Sequence, residues 1–139
     1  DTSSSDAVYM LDWYAYGIGK VPTKVATTYQ NISDAWSLLI DQKWHDRITA
    51  IKANDGGLSY VEFFEYRKNK MSIPLFNIYC ATGSNREYYA ERTDLIQLGQ
   101  TTQAIYFAKL TNEGEQSELA LTGDEIKARF SLVNQAWNN

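Results

Sequence analysis

Apolar positions recur along the chain with two different periods, and each period predicts a different kind of element. Toward the C-terminal end, Ile126, Phe130, Val133 and Trp137 stand at i, i+4, i+7 and i+11, the stripe of an amphipathic helix over residues 123–137. Thr122 and Glu125 form a capping box at its start, each able to satisfy a free amide of the first turn. Leu121 and Ile126 occupy the two positions of a hydrophobic staple across that cap. Near the other end, Tyr9, Trp13 and Tyr16 stand at i, i+4 and i+7 and predict a short helix within residues 7–17. Gly17 and Gly19 stop it, and Pro22 prevents its resumption. Ile32, Ala35, Trp36, Leu39 and Ile40 repeat the helical spacing behind a possible cap at Ser33. The alternative there is a short buried strand over 36–40 with a turn at 41–43; periodicity favours the helix.

Between these segments the pattern turns to β. His45 to Lys52 reads as a strand, and Asn54-Asp55-Gly56-Gly57 is a hairpin turn, because these residues tolerate positive φ. Leu58 to Arg67 follows, with Phe63 and Phe64 adjacent, so that either both faces are covered or a bulge reverses the register. Arg67 to Lys70 is a charged turn. Ile73 to Ala81 is the most apolar strand and is predicted to be central, with Pro74 confined to its end or to an edge. After a turn at Gly83-Ser84-Asn85, Arg86 to Arg92 and Leu95 to Leu98 read as two strands or one bent strand. Ala104 to Leu110 is another, and Thr111 to Ser117 is an acidic, polar loop. Short turns between successive strands favour antiparallel pairing. The predicted fold is α+β, a mainly antiparallel curved sheet of about five strands. A C-terminal helix and one or two N-terminal helices pack on it, in a single domain over 7–139.

Length agrees, since 139 residues suit one domain. Ten tyrosines and four tryptophans exclude a disordered chain. A net charge of −4 argues against nucleic acid as a partner, whose footprint would need clustered Lys and Arg. No apolar run reaches the ~18–20 residues needed to span a bilayer. The opening Asp1-Thr2-Ser3-Ser4-Ser5-Asp6 reads as a flexible linker over 1–6, which suggests an anchor or another domain upstream. An EF-hand reading of Asp1, Ser3, Ser5 and Asp12 fails, because Asp6 stands where the loop needs glycine. Gly17-Ile18-Gly19-Lys20 lacks the spacing and the preceding strand of a phosphate loop.

Catalytic patterns are scarce. Cys80 and His45 are each the sole residue of their type, too few for a zinc site, and Cys80 closes an apolar stretch where a buried thiol is expected. His45-Asp46-Arg47 are neighbours that a strand points apart, and no Gly-x-Ser-x-Gly elbow accompanies them. Glu62 and Glu65 fall on opposite strand faces unless a bulge intervenes. Glu87 and Glu91 share a strand face beside Arg86 and Arg92, which reads as solvated charge. No catalytic residue, metal site or cofactor is predicted. The aromatic surplus is more informative, because Tyr and Trp are favoured at recognition surfaces. Trp36, Trp44 and Trp137 read as core, whereas Trp13, Tyr14, Tyr16, Tyr88 and Tyr89 are the candidate binding residues. Alternation forces one of each adjacent pair outward.

The middle of the chain resembles small extracytoplasmic α+β modules of unknown function in lipoproteins and envelope proteins of Gram-positive bacteria. The resemblance spans about residues 36–139 and rests mostly on core positions. It is carried by Trp44 with Ile48, Gly57 with Tyr60 and Phe63, Pro74-Leu75-Phe76-Asn77-Ile78, Tyr106-Phe107, and the closing helix with Phe130 and Trp137. It implies an extracytoplasmic location, with membrane anchoring through an upstream segment, and in such modules the stretch 36–40 tends to be a strand. The expected function is a non-enzymatic module of a tethered envelope protein that binds another protein. The alternatives are a carbohydrate- or cell-wall-binding domain using exposed Tyr and Trp, or a small-ligand cup lined by Phe64, Phe76 and Phe107.

Overall fold

The computed structural model describes residues 8–15, 23–44, 47–66 and 73–133. These fall into two compact units, one formed by residues 1–42 with 129–139 and the other by residues 43–128. Coarsely the fold is α+β, mostly antiparallel sheet with a few short helices.

The first unit is a sheet of four antiparallel strands in the order β1-β2-β3-β9, namely β1 (Val8–Ala15), β2 (Thr23–Asn31), β3 (Trp36–Leu39) and β9 (Phe130–Leu132). The helix expected over 7–17 is therefore a strand. A spacing of four residues satisfies a period of two as well as 3.6, so Tyr9 and Trp13 share a strand face as readily as a helix face. The aromatic residues of the segment have high strand propensity, which favours the pleated conformation.

The helix favoured over 32–44 is also replaced. The Asn31 side chain is fully buried, and its Oδ1 accepts hydrogen bonds from the Asp34 amide at 3.1 Å and the Ser33 hydroxyl at 3.0 Å. That Asx-type turn reverses the chain. Ala35 completes the turn in the left-handed region at φ 62°. Trp36 and Leu38 then bury and Leu39 faces out, the period of a strand. A single 3-10 turn at Gln42–Trp44 follows.

At the C-terminal end, α3 (Gly123–Arg129) carries the predicted capping box. The Thr122 amide donates to Glu125 Oε1 at 2.8 Å, and the Glu125 amide donates to Thr122 Oγ1 at 3.1 Å. Leu121 and Ile126, the staple pair, are both buried. The helix stops well short of the predicted residue 137, and Phe130 opens β9. Phe130 stacks on Trp36 at 5.8 Å, and Leu132, two residues on, is buried opposite Trp36 in the sheet. Trp137 lies outside the described residues.

The second unit holds five antiparallel strands in the order β4-β5-β6-β8-β7. They are β4 (Ile48–Asp55), β5 (Leu58–Glu65), β6 (Ile73–Thr82), β7 (Ile96–Gln100) and β8 (Ala104–Leu110). The β4–β5 hairpin turns at Gly56-Gly57, as predicted, with Gly56 at φ 63°. β6 is central, and Pro74 sits near its start. The register shifts opposite the Phe63-Phe64 pair, leaving Leu75 as the extra residue of a bulge. The carbonyl that the bulge frees on Leu75 accepts the Thr111 amide at 3.3 Å and the Thr111 hydroxyl at 3.1 Å. Thr111 also caps the short helix α2 (Asn112–Glu115) inside the expected loop.

One sheet face buries Val61, Phe63, Phe76 and Ile78, with Trp44 packed on Phe76 at 5.7 Å. The other face carries Tyr79, Ala81, Ile105 and Phe107, against which Leu95, Tyr89 and Ala90 pack. The strand expected over Arg86–Arg92 is the helix α1 (Arg86–Ala90) instead. A strand would present Tyr89 and Ala90 to opposite faces, whereas one helical turn sets both against the core.

Candidate functional site

Five aromatic rings form a row from the middle of the five-stranded sheet to α1. Register places Tyr60 of β5 opposite Tyr79 of β6, and Tyr79 opposite Phe107 of β8. Cross-strand neighbours stand about 5 Å apart, close enough for ring contact. The Tyr60 and Tyr79 rings lie 5.0 Å apart, and Tyr79 stacks on Phe107 at 4.9 Å and 10°. Tyr89 stacks on the same ring at 5.2 Å and 15°, and Tyr88 meets Tyr89 edge-on at 5.2 Å. Phe107 is buried, Tyr60, Tyr79 and Tyr89 are half-buried, and Tyr88 is 62% exposed.

Two tethers set α1 in place. Arg86 donates to the carbonyls of Gly83 at 2.8 Å and Thr102 at 3.1 Å. Gln97, paired with Phe107 in the sheet, donates to the Tyr89 carbonyl at 3.0 Å. Just past the helix, the Arg92 guanidinium lies over the Tyr88 ring, 5.7 Å from its centroid, and forks onto the Asp94 carboxylate. Arg92 holds the Asp94 carboxyl below its usual range, and Asp94 raises the guanidinium in return. Along β6, Asn77 Nδ2 donates to the Tyr79 hydroxyl at 3.0 Å.

Compared with family models, with curated proteins and with solved structures, the chain shows no match. The site is therefore argued from its own residues.

Of the predicted binding residues, Tyr88 and Tyr89 come together on α1, Tyr88 exposed and Tyr89 packed on the core, a split made by the helix and not by the strand alternation expected there. Trp13 and Tyr14 are placed by backbone only, on β1 of the other unit, where the register shifts between them. Tyr16 lies outside the described residues. Sequence reasoning missed Tyr60, Tyr79 and Arg92. The first two lie on separate strands and meet only through register. Arg92 reaches Tyr88 because the intervening residues are helical, which brings positions i and i+4 together.

The groups weighed for catalysis are placed elsewhere. Cys80 is buried, and His45 and Asp46 lie outside the described residues. Glu62 is half-buried, whereas Glu65 is buried on the other face, so the two carboxylates do not converge. Glu65 Oε1 accepts the Ser117 hydroxyl at 2.6 Å, and Arg47 stands 3.8 Å from its other oxygen. Phe76 and Phe107 occupy opposite sheet faces and do not line a common cup. Among the described residues, no three His, Cys, Asp or Glu side chains gather as a metal site would require.

Proposed function

We propose that this protein is a non-enzymatic protein-interaction module whose contact surface centres on Tyr88 and Tyr89. The observation that carries the reading is the state of the aromatic row. The faces of Tyr79, Phe107 and Tyr89 are stacked on one another at interplanar angles of 10° and 15°. What remains for a partner is therefore ring edges and hydroxyls beside the exposed Tyr88. A sugar platform needs free ring faces, whereas a protein interface uses Tyr and Arg anchors at their edges as well. The extracytoplasmic, envelope-tethered setting is part of this proposal and rests on the resemblance described above.

Immobilised protein presented separately with solubilised envelope proteins and with cell-wall polymer tests this reading. Saturable capture of a protein, lost on Tyr88→Ala, is the expected result. Binding to the polymer alone, with tryptophan fluorescence shifting as soluble glycan is added, would replace it with the carbohydrate-binding alternative. Protein capture that Tyr88→Ala leaves intact would remove α1 as the contact.

A further inference from the structure

Among the described residues the two sheets have four outer strands, and three of them carry a feature that discourages a further strand. β1 breaks register between Trp13 and Tyr14, β7 breaks it between Gln97 and Gly99, and β9 is three residues long. Register breaks and shortness both protect a sheet edge. β4 has neither. It pairs with β5 in unbroken register from Ile48 to Asp55, and among the described residues no strand lies on its other side. Midway along it stands Ile51, 52% exposed.

Hydrogen-bond phase decides which residues of β4 face a further strand. The Tyr66 amide donates to the Arg47 carbonyl at 2.7 Å, so these two form a hydrogen-bonded pair at the open end of the hairpin. Such pairs alternate along an antiparallel ladder. Thr49, Ile51 and Ala53 therefore bond toward β5, while Ile48, Ala50, Lys52 and Asn54 direct their amides and carbonyls outward. A second β4 running antiparallel must match outward residues with outward residues. Only two such registers pair nearly the whole strand. One sets Lys52 against Lys52, where like charges repel. The other sets Ile51 against Ile51 on a two-fold axis, with Ala50 opposite Lys52 and Ile48 opposite Asn54. It also brings Arg47, 43% exposed beside its own Glu118, opposite Asp55 of the second copy at both ends. Lysine commonly guards an edge strand; here Lys52 selects one register of self-pairing.

We infer that the protein forms a two-fold dimer through β4, joining two five-stranded sheets edge to edge with Ile51 on the axis. This goes beyond the reading of Tyr88 as a contact residue and does not rest on it. α1 packs on β6 and β8, away from this edge, so the dimer carries two such surfaces. A single strand pair is a small interface, below about 1,200 Å² in total, and makes the dimer weak and reversible.

Sedimentation velocity of the whole chain from about 1 μM to about 1 mM should show a monomer giving way to a dimer as concentration rises. Ile51→Lys, a change at an exposed position whose fold circular dichroism checks, should weaken dimerisation about tenfold by placing two ammonium groups together. Oxidation of Ile51→Cys by molecular oxygen should trap the dimer as a disulfide. A non-hydrogen-bonded pair stands about 4.5 Å apart between Cα atoms, within a disulfide's span. Thr49→Cys should not cross-link to itself, because its two copies lie about 13 Å apart along the strands, but should cross-link to Ala53→Cys in a mixture. Cys80 is buried and does not compete. A monomer at every concentration would overturn the inference, as would a dimer that Ile51→Lys leaves intact. Equal self-cross-linking of Ile51→Cys and Thr49→Cys would overturn it too, and so would a monomer whose β4 instead takes up a strand of another protein.

Discussion

The indole N–H of Trp44 donates to the carbonyl oxygen of Leu119 at 2.8 Å, joining residues 75 positions apart in the chain. It is one of four side-chain bonds to consecutive residues. Glu65 accepts the Ser117 hydroxyl at 2.6 Å, Arg47 donates to Glu118 at 2.6 Å, and Lys43 donates to the Ala120 carbonyl at 3.1 Å. Only the Trp44 bond is fully buried, so it should dominate the energetics. Trp44→Phe keeps a ring beside Phe76 but orphans the Leu119 carbonyl, which should cost about 1–3 kcal/mol. Lys43→Met removes an exposed bond and should change stability by less than about 0.5 kcal/mol. Urea unfolding of the two variants at constant m-value separates these outcomes.

Gly114 is buried, and a Cβ there would press into the carbonyl oxygen of Leu75 and the hydroxyl of Thr111. Those two groups are themselves bonded, closing the bulge in β6. Gly114→Ala should therefore destabilise by about 1–3 kcal/mol, as overpacking does, although alanine is the better helix former. A neutral or stabilising effect in thermal unfolding would mean that α2 does not approach the bulge so closely.

The clearest features in the sequence were those encoded by one local signal with one meaning. The 54–57 turn needs residues that tolerate positive φ, the Thr122–Glu125 capping box needs its two side chains, and β6 is apolar on both faces because it is central. The segments expected as helix and found as strand share a spacing of four, which strands and helices both satisfy. Tyr9 and Trp13, Ile32 and Trp36, and Ile126 and Phe130 all carry it, and tertiary partners decide among them. Phe130 leaves the helical stripe to stack on Trp36, a residue almost a hundred positions away. At the candidate site, the expectation of one outward ring at Tyr88 and Tyr89 rested on strand alternation, whereas helix α1 makes the split by stacking Tyr89 on Phe107. Cross-strand neighbours such as Tyr60 and Tyr79 have no local signal at all.

Ala35 holds a left-handed backbone conformation at φ 62°, which costs an L-residue about 1–2 kcal/mol. Glycine adopts it freely but gives the unfolded chain more freedom, an offset of roughly 0.5–1 kcal/mol. Ala35→Gly should therefore stabilise by about 0.5–1 kcal/mol, read as a raised melting temperature. A lowered melting temperature would show that the turn does not force this conformation.

Asp94 ties pH to the geometry of the candidate site. Its carboxyl is held below the ordinary range by Arg92, so the folded chain keeps this group charged to lower pH than the unfolded chain does. The contribution of the pair is present above the ordinary carboxylate range and is lost as pH falls through the depressed value. Proton resonances of the Tyr88 ring should hold steady through pH 4 and move only below it, about where an unperturbed Asp titrates. In Asp94→Asn that acid transition should vanish.

Tyr29 ties pH to the core of the first unit in the opposite direction. Its ring is 2% exposed and lies 5.6 Å from Trp36, while Asp34 in the following turn adds negative charge nearby. Burial first, and then the Asp34 carboxylate, raise the phenol well above its usual range. The unfolded chain therefore loses this proton first on the alkaline side. The stability it contributes is complete below about pH 10, the ordinary tyrosine value, and declines as pH rises toward the raised one. A difference titration of the wild type against Tyr29→Phe, followed by tyrosinate absorbance, should show no Tyr29 ionisation near pH 10 and a rise only with alkaline unfolding. Asp34→Asn should move that unfolding to higher pH only slightly, because charge is the smaller of the two causes. Reversible ionisation of Tyr29 in the folded chain near the ordinary value would mean that water reaches the phenol and that the Tyr29–Trp36–Phe130 core is not closed.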